Sequence, residues 1–409
     1  MDIFLLQAIA NELKSLLAGH RLSKIVQLNT TDMALDFRLR DGRWLVISTD
    51  PARLALYLTL RQPKQLSDEP RTDTGFVSLM KKFLGGAKLI GLDNLGYDRV
   101  VSFDFEAEDD DGQIKLRKLI VSLTGRGANL LVVEAGRIIA RLREGEEKKS
   151  STKQHVGNTK KEKEIIRDPS PDFVREILSY SEPPPPADKL DPFQCSAAQI
   201  YDLIADADGE IATAAQKNFI GFTPAFAREL AFRAKLSDPA SALQNLLADL
   251  YESNPVPAIY STPTIEEIRQ EIGRDEFSLT LSPIKLTHLF ALPQTSFTTT
   301  NEAADVYFTL LDDRRRFQAA KQKLVSQLSA KLKKQRTLAT NLQRELAGFA
   351  SGEKHQRWGE LLLANLHQAT KTATGFAVTD FYDEAQATIT IPAADKANAQ
   401  DAAEHYFKL

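Results

Sequence analysis

Between residues 314 and 344 the chain carries ten Lys or Arg residues and no Asp or Glu: Arg314, Arg315, Arg316, Lys321, Lys323, Lys331, Lys333, Lys334, Arg336 and Arg344. Leu328, Leu332, Ala339, Leu342, Leu346 and Phe349 recur in and just beyond it in steps of three, four or seven. That period belongs to an amphipathic helix drifting toward a heptad. Neither Gly nor Pro interrupts the chain between Pro293 and Gly348. At about 1.5 Å per residue the basic run alone predicts a helix roughly 45 Å long. A solvated coiled-coil face ordinarily mixes the two signs of charge, whereas a face of one sign fits a phosphate backbone. The run therefore supplies the candidate phosphate contacts, Arg314, Arg315, Arg316, Lys321, Lys331, Lys333, Lys334 and Arg336.

The positive charge is concentrated there, because the whole chain of 409 residues has a net charge of only −3. Its 43% hydrophobic and 26% charged content describes an ordinary globular protein of several domains. Cys195 is the single cysteine, which excludes an internal disulfide framework and a multi-cysteine zinc ribbon. The apolar start is broken at once by Asn11, Glu12 and Lys14, and no run approaches the length of a membrane span. The sequence reads as a cytoplasmic protein with no membrane partner.

The fold class expected is α+β and multi-domain. Residues 1–147 open with a helix over 1–18, closed by Gly19. Strand-like runs follow at 22–28, 34–39, 44–48 and 55–60, with Asp41-Gly42 as a hairpin signal. A short helix at 76–84 ends at Gly85-Gly86, and strands resume at 88–92, 99–106, 114–124, 129–134 and 138–142. The domain is thus rich in antiparallel strands. Residues 148–190 read as a basic and Pro-rich linker, with a short helix possible at 173–180.

Residues 191–253 read as a helical module, with helices at 197–205 and 210–219. Gly221 frees the backbone for a tight turn before Thr223 as N-cap and Pro224 as first helical residue. Such a turn can belong to a helix-hairpin-helix, whose amides grip a phosphate, with Arg228 and Arg233 in support. Residues 254–409 read as a Pro-punctuated connector to residue 300, an ascending helix over 301–349, a further helix around 358–365, and a small tip with strands at 374–382 and 387–391. A returning helix, truncated, begins near Asn398.

Gly19-His20-Arg21-Leu22-Ser23-Lys24-Ile25, Phe76-Val77-Ser78-Leu79-Met80-Lys81-Lys82-Phe83-Leu84-Gly85-Gly86, Asp98-Arg99-Val100-Val101 and Gly125-Arg126-Gly127-Ala128-Asn129-Leu130-Leu131 together resemble a known family. They resemble the NFACT-N domain of the bacterial RqcH proteins, relatives of eukaryotic NEMF that also carry the name fibronectin-binding protein FbpA. The resemblance runs across essentially all the residues present, and the order of domains agrees with it, including a helix-hairpin-helix module and a coiled-coil middle region with a small α/β tip. Members usually continue into an NFACT-R domain that the sequence does not reach.

The resemblance implies a factor of ribosome-associated quality control. Such a factor binds the large (50S) ribosomal subunit, through rRNA, when that subunit holds an obstructed nascent-chain peptidyl-tRNA. It recruits alanyl-tRNA so that C-terminal tails are added without mRNA. Asp98-Arg99 matches the family's signature dipeptide for tRNA, with Arg126, Lys81 and Lys82 as further candidate tRNA contacts. The alternative from the residues alone is that Asp98 and Arg99 merely neutralise each other at a strand end.

No catalytic constellation is legible. The six histidines lack the spacing of a metal pair, and no nucleophile elbow occurs. No cofactor and no metal are expected, and peptide bonds would be made by the ribosome, so the chain is read as an adaptor and not an enzyme. Two other readings stay open. One is a surface adhesin that binds fibronectin. The other is a DNA-glycosylase-like nucleic-acid-binding protein without catalysis, because Asp2 stands where such enzymes need an N-terminal proline.

Overall fold

The computed structural model describes residues 1–67, 74–95, 98–109, 111–143, 178–184, 186, 188–205, 210–251, 256–273 and 277–409. The lysine run of the expected linker, from Lys148 to Lys163, lies outside the described residues. The chain forms two compact units, Met1–Phe317 and Gln318–Leu409.

Helix α1 (Ile3–Leu17) starts where the Asp2 carboxylate accepts a hydrogen bond from the Leu5 amide at 2.8 Å. Leu6, Ile9, Leu13 and Leu17 line its buried face at helical spacing. Gly19, with φ of 80°, turns the chain out as expected. Strands β1 (Lys24–Gln27), β2 (Asp32–Asp36), β3 (Trp44–Ser48) and β4 (Ala55–Thr59) then form an antiparallel meander in chain order. Every residue of β3 and β4 is buried, which explains why both read as unbroken apolar runs and not as alternating ones. Helix α2 (Pro63–Leu66) adds Leu66 to a small cluster around Leu28, Ala34 and Trp44.

Helix α3 (Gly75–Leu84) leads into β5 (Lys88–Asn94), β6 (Val100–Glu108), β7 (Ile114–Ser122), β8 (Asn129–Glu134) and β9 (Arg137–Arg141). With β10 (Leu178–Ser179) they make a six-stranded antiparallel sheet ordered β10-β9-β8-β7-β6-β5. Leu178 and Ser179 therefore pair with Ile138 and Arg137 as a strand, where the sequence allowed a helix.

Four helices follow: α4 (Ala197–Ala205), α5 (Ile211–Asn218), α6 (Pro224–Arg233) and α7 (Pro239–Tyr251). They are joined to the N-terminal region by Phe4, whose ring meets Phe222 and Phe226 edge-on at 5.9 and 5.1 Å. The stretch read as a connector is folded. Strand β11 (Ala258–Thr262), helix α8 (Ile265–Gln270), β12 (Ser278–Ser282) and β13 (Gln294–Ser296) build a sheet ordered β12-β11-β13. Ile259, Ile265, Ile268 and Leu281 enter the same core as α1 and the first two sheets. The sequence boundaries at 147 and 253 consequently fall inside one compact unit.

Helix α9 (Thr300–Ala364) is continuous for 65 residues, across Gly348 and Gly352, where the sequence reading divided it in two. Two internal glycines cost about 1 kcal/mol each relative to Ala, too little to break a helix flanked by strong helix formers. The start of α9 is capped from another element. The Glu12 carboxylate of α1 accepts from the amides of Thr300 (2.5 Å) and Asn301 (2.9 Å) and from Asn301 Nδ2 (2.7 Å). Asn301 Oδ1 in turn accepts from the Leu58 amide of β4, and Phe308 stacks on Tyr57 at 4.9 Å. The second unit is closed by β14 (Thr370–Lys371), β15 (Gly375–Thr379) and β16 (Thr388–Pro392), an antiparallel sheet in that order, and by α10 (Ala399–Lys408). Its core gathers Leu361, Leu362, Phe376, Ile391 and Tyr406.

Candidate nucleic-acid interface

From Gln318 to Ala350 every residue of α9 is exposed. Lys321, Lys323, Lys331, Lys333, Lys334, Arg336 and Arg344 thus all reach solvent, and no carboxylate lies between Asp313 and Glu345. Ser329, Lys333, Arg336, Thr340 and Arg344 border one shallow concavity along the helix. The Thr337 and Thr340 hydroxyls donate back to the carbonyls of Lys333 and Arg336 at 3.0 and 2.9 Å. Lys333, Arg336 and Arg344 are the cations of that strip. Leu328, Leu332, Leu342, Leu346 and Phe349 are between 49% and 74% exposed, so the apolar seam lies open beside the charge.

The three arginines at the start of the basic run behave differently. Arg315 Nη1 lies 2.8 Å from Asp50 Oδ2, Arg316 Nη2 donates to the Gln65 carbonyl at 2.9 Å, and the Arg314 guanidinium sits 4.2 Å from the centre of the Phe277 ring. Arg314, Arg315 and Arg316, expected as phosphate contacts, are also engaged by other residues of the first unit at the root of α9. The difference comes from Asp50, Gln65 and Phe277, all distant in sequence.

The strand-end cluster is partly assembled. Asp98 Oδ1 accepts from the Arg99 amide at 2.7 Å. Among the described residues the Arg99 guanidinium has no hydrogen bond and no ion pair, so the two side chains do not neutralise each other. The Arg99 carbonyl accepts from Leu123 N at 2.8 Å, which sets Arg99 beside the single turn Gly125–Gly127 and the exposed Arg126. Arg99 also lies within electrostatic reach of the Met1 amine and Asp2. Burial, first, raises the Asp2 carboxyl; the Leu5 amide, the Met1 amine and Arg99 oppose it. Lys81 and Lys82 are exposed on α3 at the other end of the sheet. The neighbouring Phe83 carbonyl is held by Arg117, which pairs with Phe105, five residues along β6 from Val100 or about 17 Å. Backbone pairing puts Asp98, Arg99 and the Arg126 turn at one end of the sheet and Lys81 and Lys82 toward the other.

The Gly221 turn precedes α6 as read, with Thr223 at the N-cap and Pro224 as the first helical residue. Gly221 has φ of 81°, and a Cβ there would meet Ile3 at 2.9 Å and Phe4 at 3.0 Å. Ile220 and Phe222 are buried on either side. The glycine serves close approach to α1. Thr223 has extended N-cap geometry without a side-chain cap bond. Arg228 is exposed, whereas Arg233 is engaged by Glu229 at 2.8 Å and Asp249 at 2.7 Å.

Sequence reasoning missed Glu229 itself. This fully buried carboxylate accepts from Thr287 Oγ1 (2.6 Å), His288 N (2.9 Å), His288 Nδ1 (2.7 Å) and Arg233 Nε. Burial alone would raise its pKa. The bonds from Thr287, the His288 backbone, Arg233 and the His288 ring outweigh burial and hold the pKa at about 2, against an ordinary 4.5. A depressed carboxylate stabilises the fold above its unfolded pKa and loses that contribution as pH falls through the folded value. Glu229→Gln is expected to cost about 3 kcal/mol at neutral pH. That gap from wild type closes as the pH falls from about 4.5 toward 2. Urea unfolding of both proteins at pH 7 and pH 3 measures it, and an equal gap at both pH values would refute the assignment. The spacing Glu229-x-x-x-Arg233 was a visible signal; Thr287 and His288 were not.

Among the described residues no three His, Cys, Asp or Glu side chains gather as a metal site, and no helix is long and apolar enough to cross a membrane. The family described as NFACT N-terminal and middle domains matches residues 2–158 and 167–409. The Rqc2 homolog RqcH of Bacillus subtilis (strain 168) is 25% identical over 407 residues, which is 98% of this chain and 64% of that protein. The ribosome quality control complex subunit 2 of Schizosaccharomyces pombe is 31% identical over 104 residues, 25% of this chain and 10% of that protein. The chain thus spans just under two thirds of its bacterial relative. Among solved structures, the fibrinogen binding protein from Staphylococcus aureus superposes with a TM-score of 0.54 at 20% identity, covering 75% of this chain and 98% of that one, a likeness of fold alone. With both stretches of the family matched and the antiparallel sheets and long helix in place, the chain belongs to the NFACT family, across its N-terminal and middle domains.

Proposed function

We propose that this chain is a ribosome-associated quality-control factor that docks on the large ribosomal subunit through α9 and recruits tRNA through the Asp98–Arg99–Arg126 edge. The observation that carries the reading is the row of seven exposed cations, Lys321, Lys323, Lys331, Lys333, Lys334, Arg336 and Arg344, on one helix without an acid among them. A surface of that kind binds by displacing counterions from phosphates. In this reading the exposed part of α9 is one limb of a coiled-coil arm and α5–α6 form a helix-hairpin-helix module. The subunit bound is one that still holds an obstructed nascent-chain peptidyl-tRNA. The tRNA is alanyl-tRNA, used for tailing without mRNA. The chain acts in the cytoplasm as an adaptor and leaves peptide-bond formation to the ribosome. Names of relatives that speak of the ribosome support this over an adhesin.

Co-sedimentation with purified large subunits across a salt series, followed by sequencing of co-purified small RNA, tests the proposal. Failure to pellet at low salt sinks it. Labelling of intact cells with a membrane-impermeant reagent tests the adhesin reading.

Arg99→Ala is expected to weaken tRNA binding about tenfold to hundredfold, the worth of one charged hydrogen bond, with large-subunit binding unchanged. Asp98→Asn serves better than Asp98→Ala as the companion variant, since Asn retains the acceptor for the Arg99 amide. Full tRNA affinity in Arg99→Ala, or a loss that merely tracks a fall in Tm, would remove Arg99 from the interface.

A further inference from the structure

Phe290 is 77% exposed and Leu236 is 82% exposed, and the Phe290 ring lies 6.5 Å from that of Phe232 on α6. A lone exposed apolar side chain is ordinary. Here the backbone that carries it is fixed. Thr287 and His288 bond to the buried Glu229, the Leu286 amide donates to Tyr260 Oη at 2.6 Å, and the Phe290 amide donates to the Thr287 carbonyl at 3.2 Å. A buried charged network thus holds a short turn whose outermost group is an aromatic ring in water. Such a group loses little entropy when a ligand stacks on it.

Charge selects the ligand. Residues 224–236 and 283–292, which form this face, carry Arg228, Arg233, Lys235 and Lys285 against a single carboxylate, the buried Glu229. Arg228 lies four residues before Phe232 on α6, hence on the same helical face, Lys235 lies in the turn just after α6 with its amide donating to the Phe232 carbonyl at 3.2 Å, and both are exposed. The next acid, Asp238, is engaged by the Ala240 and Ser241 amides and by Tyr201. An aromatic ring among cations with no exposed acid on the same elements suits a polyanion that offers flat rings.

We infer that Phe290, backed by Phe232 and flanked by Arg228 and Lys235, is a stacking platform for an unpaired base of RNA. The inference rests on the RNA-binding reading above and adds an interaction that neither α9 nor the Arg99 edge supplies. Fluorescence anisotropy with a labelled, unstructured RNA of about 12 nucleotides, and with the same strand annealed as a duplex, tests it at fixed salt. Phe290→Ala is expected to weaken the single-stranded probe about 5- to 150-fold, the range for removal of one stacked base, and to leave the duplex unaffected. Phe290→Trp is expected to retain single-strand affinity and Phe290→Leu to lose it. Wild-type affinity in Phe290→Ala, or equal retention by Leu and Trp, overturns the platform. Equal retention would mean a merely apolar interaction, as in a protein interface. If the unsubstituted protein binds neither probe and does not pellet with large subunits, the RNA reading falls and this inference with it. If it does both and Phe290→Ala is silent, only the platform falls.

Discussion

Replacing Arg53 by Ala is expected to destabilise the first compact unit by about 3–5 kcal/mol, the cost of stranding buried charge. The guanidinium bridges Asp32 at 2.6 Å and Asp312 at 2.7 Å, and the three side chains are 11%, 6% and 13% exposed. Asp32 keeps Ser48 and Thr31 as donors after the change. Asp312 keeps the more distant Arg61, at 3.7 Å, and the weaker field of Arg316. Burial already raises the Asp312 carboxyl, and Arg53 is the largest influence opposing it. Without Arg53 the folded-state pKa of Asp312 rises further. A carboxylate with a raised folded pKa contributes stability below its unfolded value and loses it as pH rises through the folded one. The deficit of Arg53→Ala is therefore expected to shrink as the pH is lowered from 7 toward the ordinary carboxylate range.

The control is Arg315→Ala. Its pair with Asp50 spans 2.8 Å, but its side chain is 61% exposed, so a change of no more than about 1 kcal/mol is expected. Urea midpoints at unchanged m-value separate the two cases. Equal, small losses in both variants would mean that water reaches the Arg53 network. Adding Asp312→Asn to Arg53→Ala is expected to recover part of the loss, because the uncompensated charge is then gone.

Local features were legible because their causes are local. Gly19 and Gly85 end helices where the sequence placed the ends, Asp41-Gly42 joins the second and third strands, and strand β3 falls on the residues read from it. What escaped was set by partners distant in sequence. The prolines of 254–300 read as punctuation, yet Ile259, Ile265 and Leu281 between them complete a core begun by α1. Gly221 carries the same local signature whether its amides meet a phosphate or its bare Cα meets Ile3 and Phe4. The candidate site divides along the same line. The exposure of Lys331 to Arg336 was legible because nothing covers them, while the contacts of Arg314 to Arg316 were not, because Asp50, Gln65 and Phe277 had to be brought to them by the fold.

One signal in the sequence did mark that division. Asp305 and Asp312 lie just before the acid-free run, and both face Arg61 of the strand region, with Asp312 also facing Arg53. These two acids, on the N-terminal side of the run, thus lie in the turns of α9 packed within the first unit, where arginines need partners. The acid-free part coincides with the exposed turns, where an internal partner would cancel the field that a phosphate backbone sees.

Changing Lys331, Lys333, Lys334 and Arg336 together to Glu is accordingly expected to have the largest effect on binding. All four side chains are exposed. Glu has nearly the helix propensity of Lys and Arg, so the helix is expected to persist, which far-UV circular dichroism checks. Removing one phosphate-neutralising cation lowers the log–log salt slope of binding by roughly 0.7–0.9 units, or about 3 units for all four. At about 0.1 M salt the same relation gives a loss of affinity for the large subunit on the order of a thousandfold, before any repulsion from the new carboxylates. Co-sedimentation over a salt series reads both quantities, and the slope distinguishes missing ion pairs from a damaged fold. A damaged fold would reduce the bound fraction without flattening the dependence on salt. Lys24→Glu with Lys88→Glu, two exposed lysines of the N-terminal sheets, places half as much added negative charge away from α9 and is expected to leave the slope nearly unchanged. If the fourfold variant still pellets with wild-type affinity and slope, α9 is a structural element only, and large-subunit binding has to be sought at the Arg99 edge or on the Phe290 face.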